Sequence, residues 1–441
     1  MRHVLTATAI LAIAAVGAQS ADPPPPTVEK LIEQLGSRSF AERERATKLL
    51  RERGPAALAT LRKARESKDE EVRKRVEVLI PPLEIEEALL PKRVTIKGES
   101  RPLDDVLRDI EKQTGYKLGR LGGEGGQRVT VAGNDVPFWD AVERMARDTG
   151  RSIGYDTHQR VVQLDAANDR SVFVNVRGPF RLESTWFHED RDVDFTMAVR
   201  GTDGRRTHKL TLSVSILAEP RLTFLRIHPA KVEEALDSDG KSLLEPAPQS
   251  DLPAAGGAGK GVAVLAPAPE KTPPGRGTFR GESTSFSDVR LRRASESAKS
   301  IRVVRGTIPV RTILIRRPVV VTSKVLESGG TSFRAGTDSL HIKQVRNQGG
   351  GSIEVEIQVP REEGGSYREW HERFSLEDEA GNKFQMNGRG SSSNGREYSI
   401  SMYFSPPFNK NNVGAPAKLV FEDWVIHEHA IPFEFRDVPL P

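Results

Sequence analysis

The chain has 441 residues, no cysteine, and 66 Lys and Arg against 61 Asp and Glu, for a net charge of +5. The missing cysteine excludes disulfides, thiolate metal sites, cysteine nucleophiles and cysteine lipidation. So small a net charge on so long a chain, even at a pI of 9.3, gives no ground for a nucleic-acid partner. At the start, Arg2 and His3 precede the apolar run Val4 to Val16, and Ala18-Gln19-Ser20 supplies the small residues of a cleavage site. Residues 1–20 are therefore expected to be a secretory signal peptide. Their apolar run is shorter than the roughly 20 residues that span a bilayer, and no later segment is long and apolar enough. A periplasmic or extracellular location is expected. Residues 21–26, with Pro23 to Pro26, form an extended tether.

Helical periodicity begins at Thr27, with Val28, Leu31, Ile32 and Leu35 on one face. Ser39, with Glu42 three residues on, predicts a capping box for a second helix that stops at Gly54-Pro55. Leu58 and Leu61 mark a third helix, and a fourth is expected from Asp69 to Ile80. Arg43-Glu44-Arg45-Ala46 and Arg73-Lys74-Arg75-Val76 occupy like places 30 residues apart. These short helix pairs, and Val72 to Val76 above all, resemble HEAT repeats. The resemblance implies a helical module over 27–90 with a mixed-charge surface for protein contact.

The next segment is doubled. Val94 to Leu118 (VTIKGESRPLDDVLRDIEKQTGYKL) and Val129 to Ile153 (VTVAGNDVPFWDAVERMARDTGRSI) align without a gap at an offset of 35. Val94/Val129, Thr95/Thr130, Gly98/Gly133, Pro102/Pro137, Asp105/Asp140, Thr114/Thr149 and Gly115/Gly150 are identical. Each copy reads as a strand, a helix opened by Pro and closed by Thr-Gly, and a second strand. Ser100 and Asp135 are the expected caps. Leu103, Leu107 and Ile110, like Phe138, Val142 and Met145, make one apolar stripe per helix. Val161 to Leu164 adds a final strand, giving βαββαββ. Gly119 to Gln127 is expected as a mobile loop between the copies, and without the Lys-Ser/Thr of a P-loop it is no phosphate cradle.

That order, with Pro102-Leu103 and Pro137 opening the helices, Thr114-Gly115 and Thr149-Gly150 ending them, and Val129 to Val131 as the middle strand, resembles the secretin and TonB short N-terminal (STN) domain. The resemblance spans about 93–164 and implies a docking module over 91–166, without catalytic residues, that contacts another envelope protein. The chain departs from those families in continuing into neither a secretin pore nor a receptor plug and barrel.

From Ser171 the texture changes to period-two strands: Val172 to Val176, Val193 to Met197, Leu210 to Ile216 and Leu222 to Leu225. This predicts an antiparallel, Ig-like β-sandwich over 167–323. The Pro-, Ala- and Gly-rich run at 245–277 reads as an excursion from it, since Ser300 to Arg305 and Pro309 to Ile315 resume the pattern. Val319 to Leu326, Ile353 to Val359, Tyr398 to Tyr403, Leu419 to Trp424 and Ile431 to Phe435 predict a second sandwich over 324–441. The expected class is thus multidomain α+β. Between Arg276 and Arg317 stand eleven basic and three acidic residues. They read as charge guarding strand edges, or as a basic face for anionic glycan or lipid headgroups.

No constellation announces catalysis. His427-Glu428-His429 places two imidazoles on one strand face but names no further ligand, so surface histidines on an edge strand are expected. His188-Glu189-Asp190 and Trp370-His371-Glu372 are of the same grade. Asp237-Ser238-Asp239-Gly240 has too short a loop for an EF-hand and reads as a β-turn, as does Glu379 to Asn382. No Gly-x-Ser-x-Gly elbow occurs, and no spacing singles out a carboxylate pair. No catalytic, cofactor or metal residue is assigned. The sequence supports a secreted, non-enzymatic envelope adaptor acting through protein docking. Glycan or wall binding by the sandwiches is the alternative, with Trp424, Trp370, Tyr367, Tyr398 or Tyr403 as stacking platforms. A hydrolase with unrecognised carboxylates is the remaining reading.

Overall fold

The computed structural model describes residues 25–98, 100–122, 126–156, 159–166, 173–194, 205–244, 284–335, 338–360, 367–408 and 413–440. The expected signal peptide, the tether up to Pro24, the 245–277 excursion, Phe195 to Met197 and the centre of the Gly-rich loop lie outside these residues. Contacts divide the chain into two units, with the boundary between Glu87 and Ala88.

The first unit is helical: α1 (Val28–Leu35), α2 (Phe40–Arg53), a 3₁₀ turn at Gly54–Ala57, α3 (Leu58–Ala64) and α4 (Glu70–Leu89). Thr27 and Ser39 accept from Lys30 N and Glu42 N, satisfying first-turn donors. The capping box is incomplete, because Ser37 Oγ takes the Glu42 carboxylate and Ser39 N donates to Ser37 Oγ. The 30-residue spacing is repeated in contacts. Arg43 donates to Ser37 O at 2.7 Å, and Arg73 donates to Ser67 O at 2.6 Å. α4 runs nine residues beyond the expected end at Ile80, through Pro81 and Pro82. Leu79, Ile80 and Leu83 on both sides of those prolines bury in one core with Leu31, Leu50 and Leu61, and this packing outweighs the lost backbone donors.

The second unit begins with the doubled segment: β1 (Arg93–Ile96), β2 (Arg101–Pro102), α5 (Leu103–Thr114), β3 (Lys117–Leu121), β4 (Arg128–Val129), β5 (Gly133–Pro137), α6 (Phe138–Thr149), β6 (Arg151–Asp156) and β7 (Val161–Ala166). The two copies interlock. Arg93 pairs with Pro137, and the same pair shifted by one repeat is Arg128 with Pro102. Leu103 N donates to Gln127 O, and Phe138 N to Lys92 O, the corresponding exchange in the other direction. Each copy thus opens its helix on the other copy's backbone. β7 has no counterpart and pairs parallel with β3 and antiparallel with β6.

Three local expectations change. Ser100 and Asp135 are not caps: both take positive φ in the turn before the helix, and Pro102 and Pro137 occupy the N-cap positions without a side-chain bond. The middle strand is only Arg128–Val129, and Asp135 lies inside the separate strand β5. Gly119, expected in a loop, is in β3.

The remainder is antiparallel: β8 (Val174–Arg177), β9 (Phe180–Asp194), β10 (Arg205–Ala218), β11 (Thr223–Ile227), β12 (Lys231–Asp237), β13 (Thr284–Arg292), β14 (Ser300–Thr322), β15 (Ser332–Ala335), β16 (Asp338–Gly349), β17 (Ser352–Pro360), α7 (Tyr367–Glu372), β18 (Phe374–Glu377), β19 (Gln385–Ser393), β20 (Glu397–Ser405) and β21 (Lys418–Pro439). One sheet is β13-β10-β9-β8 and a second is β15-β16-β17-β20-β19. Between them β11 and β12 pair with β14, β14 with β21, and β21 with β18. Phe180 of the first sheet stacks on Phe224 of the middle sheet at 6.0 Å. Ile342, Val355, Ile400 and Phe404 of the second sheet share a core with Leu376, Leu419 and Phe421.

The expected breaks between Arg305 and Pro309, and between Trp424 and Ile431, do not end strands. β14 and β21 stay paired from Ser300↔Pro439 to Thr322↔Leu419. Residues on both sides of the expected 323/324 division therefore share one sheet. The fold is mixed α and β, and no helix among the described residues is long and apolar enough to cross a membrane.

Candidate functional site

The β13-β10-β9-β8 sheet has an outer face divided into two unlike halves. Alternation places Leu217 on that face with Arg181 opposite it and Val176 beyond, and this half is covered by the doubled segment. Leu217 belongs to the core built by Leu103, Ile110, Phe138 and Trp139. Trp139 donates its indole N–H to Pro179 O at 3.0 Å, and Arg181 pairs with Glu143 at 2.5 Å, both side chains buried.

The carboxylate of Glu219, fully buried, fixes the same junction. It accepts from Lys92 N at 2.9 Å and from Tyr116 Oη at 2.7 Å, and Arg221 Nε lies 3.2 Å away. Burial raises the Glu219 carboxyl above its ordinary value, against the pull of Arg221 and the Tyr116 hydrogen bond. Burial raises the Tyr116 phenol too, so the tyrosine remains the donor.

Comparing the copies shows which face has specialised. α6 carries Trp139, Glu143 and Ala146 where α5 carries Asp104, Arg108 and Glu111. The α6 residues are buried at this junction, whereas Asp104 and Arg108 are exposed. This face of α6 is occupied within the chain.

The other half of the sheet, among the described residues, exposes its side chains. Its rows are Asp288, Ser213 and Trp186, then Arg290, Thr211 and His188, then Arg292, Lys209 and Asp190. Phe286 stands beside Ser215 one row nearer the junction. Trp186 is 59 % exposed and Phe286 57 %. The Trp186 ring is held against His188 at 5.1 Å with planes 12° apart, and His188 is tied to Asp190 at 2.7 Å. Ser213 Oγ donates to Asp288 Oδ1 at 2.9 Å. Two rings on an otherwise hydrophilic, flat face, one of them fixed by a stacked neighbour, suit a ligand with both apolar faces and hydroxyl edges.

The aromatic platforms suggested by sequence are placed differently. Trp370 and Trp424 are only 3 % and 7 % exposed, and Arg373 lies over both rings at 4.5 and 5.5 Å. Tyr398 packs against the second sheet's core. Tyr403 is 40 % exposed, but its hydroxyl donates to Glu354 and its ring covers Gly388. The side chain of Tyr367 lies outside the described residues.

At the histidine pair β21 is hydrogen-bonded to β14 alone, since β18 reaches only Lys418 to Phe421, but the imidazoles are not free surface side chains. Both are half-buried: His427 stacks on His429 at 5.8 Å, and the His429 ring lies 5.2 Å from that of Phe180. Both ring nitrogens of His429 are buried without a partner, and burial lowers its imidazole to about 4. His371 is fully buried, and its Nε2 lies 3.0 Å from Gly390 O. No group of three or more His, Asp or Glu side chains among the described residues is arranged to hold a metal. Asp237 Oδ1 accepts from Asp239 N and Lys241 N, with Gly240 at φ +80°, which is a closed turn.

Trp186 and Phe286 carried no signal in sequence, because β9 and β13 lack clean alternation. β9 buries part of both faces and is bulged beside Ser213, while β13 begins after the Pro-rich run. No family model matches the chain, and neither the curated proteins nor the solved structures contain a match.

Proposed function

We propose that the chain is an exported, non-enzymatic adaptor of the cell envelope that binds envelope glycan through the open half of the β13-β10-β9-β8 sheet. The observation carrying this reading is the pair Trp186 and Phe286, both exposed on a hydrophilic sheet face beside a junction locked by Glu219. In this reading the HEAT-like module, the STN-like segment and the Ig-like sandwiches supply scaffold. The STN-like segment serves as an internal clamp. The test is co-sedimentation of the full chain with purified envelope polysaccharide. Trp186→Ala with Phe286→Ala should abolish pelleting while leaving the thermal transition in place, and pelleting of the double variant at the parent level would reject the reading.

A second reading, docking to an envelope protein, is favoured by α5. Its Asp104 and Arg108 stay exposed where the α6 counterparts are covered. A photo-crosslinker at Arg108 that captures no envelope protein in cells, while one at Trp186 does capture material, would exclude it.

A further inference from the structure

Resting on the glycan reading above, we infer that the polymer recognised is acidic, with its carboxylates read by Arg290 and Arg292. Phe286, Asp288, Arg290 and Arg292 alternate along β13 and share the face that carries Trp186. Successive members stand about 7 Å apart, so the rings and guanidiniums form one track rather than separate patches.

The charges on this track are unequal in their availability. The carboxylate of Asp190 is engaged by His188, and that of Asp288 by Ser213. Arg290 and Arg292 are exposed and make no ion pair among the described residues. Other arginines of the basic stretch are neutralised: Arg293 by Glu189, Arg305 by Glu234, Arg311 by Glu369 and Arg316 by Glu422. The stretch thus contributes to this face two guanidiniums with open forks, the geometry that takes a carboxylate with two parallel hydrogen bonds. Rings alone would suit any sugar. Rings continued by two unpaired guanidiniums select a sugar that carries a negative charge. A lipid surface fits less well, because the two rings lie among hydroxyl and charged residues rather than in a continuous apolar patch.

The test uses the full chain with polygalacturonate and with the same polymer fully methyl-esterified, which removes the charge and keeps the backbone. Affinity electrophoresis should show retardation by the free acid at least about tenfold stronger than by the ester, as expected for charge-assisted bonds. Raising salt should narrow the gap. Arg290→Gln with Arg292→Gln should abolish the preference, while Arg302→Gln, exposed on β14, should leave it intact. Equal retardation by acid and ester, sensitive to Trp186→Ala, would overturn the acidic assignment and leave the glycan reading standing. Retardation by neither polymer, combined with flotation on vesicles containing anionic phospholipid, would overturn both in favour of a lipid surface.

Discussion

The phenol of Tyr116 donates to the buried carboxylate of Glu219 at 2.7 Å, joining two segments about a hundred residues apart in the chain. Glu219→Ala would strand Tyr116 Oη, Lys92 N and the Arg221 cation together. A loss of about 3–5 kcal/mol is expected, as for breaking a buried pair from one side. Tyr116→Phe should cost about 1–2 kcal/mol. Urea unfolding of both variants checks this, and a Glu219→Ala effect below that of Tyr116→Phe would contradict the junction.

The tryptophans should separate by role. Trp424→Ala removes a buried ring that the Arg316 and Arg373 guanidiniums both approach, and a destabilisation of about 3–5 kcal/mol is expected. Trp186→Ala removes a ring already in solvent, so its thermal midpoint should scarcely move while glycan retention falls. Reversal of that pattern would reject the assignment of Trp186 to binding.

His429 gives a pH dependence with a definite sign. Its imidazole is held at about 4 in the fold against an ordinary 6.5, so the unfolded chain takes up the proton first. The stability it contributes is whole above about pH 6.5 and is lost as pH falls toward 4. The clearest window is pH 6.5 to 5, above the range of ordinary carboxylates and of Asp378, whose hydrogen bonds from Asn382 and Gly414 hold it at about 2. His429→Gln should flatten the fall of the urea midpoint in that window, and an unchanged slope would show that another group is responsible.

Gly115 and Gly150 close α5 and α6 in the left-handed region, with φ of 75° and 63°, and a Cβ at either would touch nothing within 4 Å. Alanine at each is expected to cost about 1–2 kcal/mol for backbone conformation alone. Gly306→Ala differs in kind, because its Cβ would lie 2.1 Å from Lys231 O in the neighbouring strand. That clash should part β12 from β14 and cost more than the helix-cap variants, and equal midpoints in differential scanning calorimetry would be the contrary result.

These glycines mark what was legible in the sequence. The doubled segment was readable because its punctuation is local: Gly after Thr supplies the left-handed residue that closes each helix, and the pattern recurs at a spacing of 35. Its interlocking was not readable, since the exchange of Leu103 N and Phe138 N for carbonyls of the opposite copy is a relation between segments. Gly306 and Pro309 read as a break between two strands because glycine and proline weaken isolated strands. Paired with β21 over its whole length, β14 carries them without ending. The binding face failed to show for the same reason. Trp186 looks like any strand aromatic until Leu217 and Arg181 are seen to be covered on the same face and Trp186 is not.

The long pairing of β14 with β21 also governs when the molecule can finish folding. Ser300 to Ile313, already flanked by β11 and β12, find their second neighbour in Ile426 to Pro439, more than a hundred residues farther along. A chain delivered from its N-terminus leaves β14 without this partner until residues 426–439 have emerged, and contacts of such sequence separation form slowly. Premature compaction is thereby discouraged.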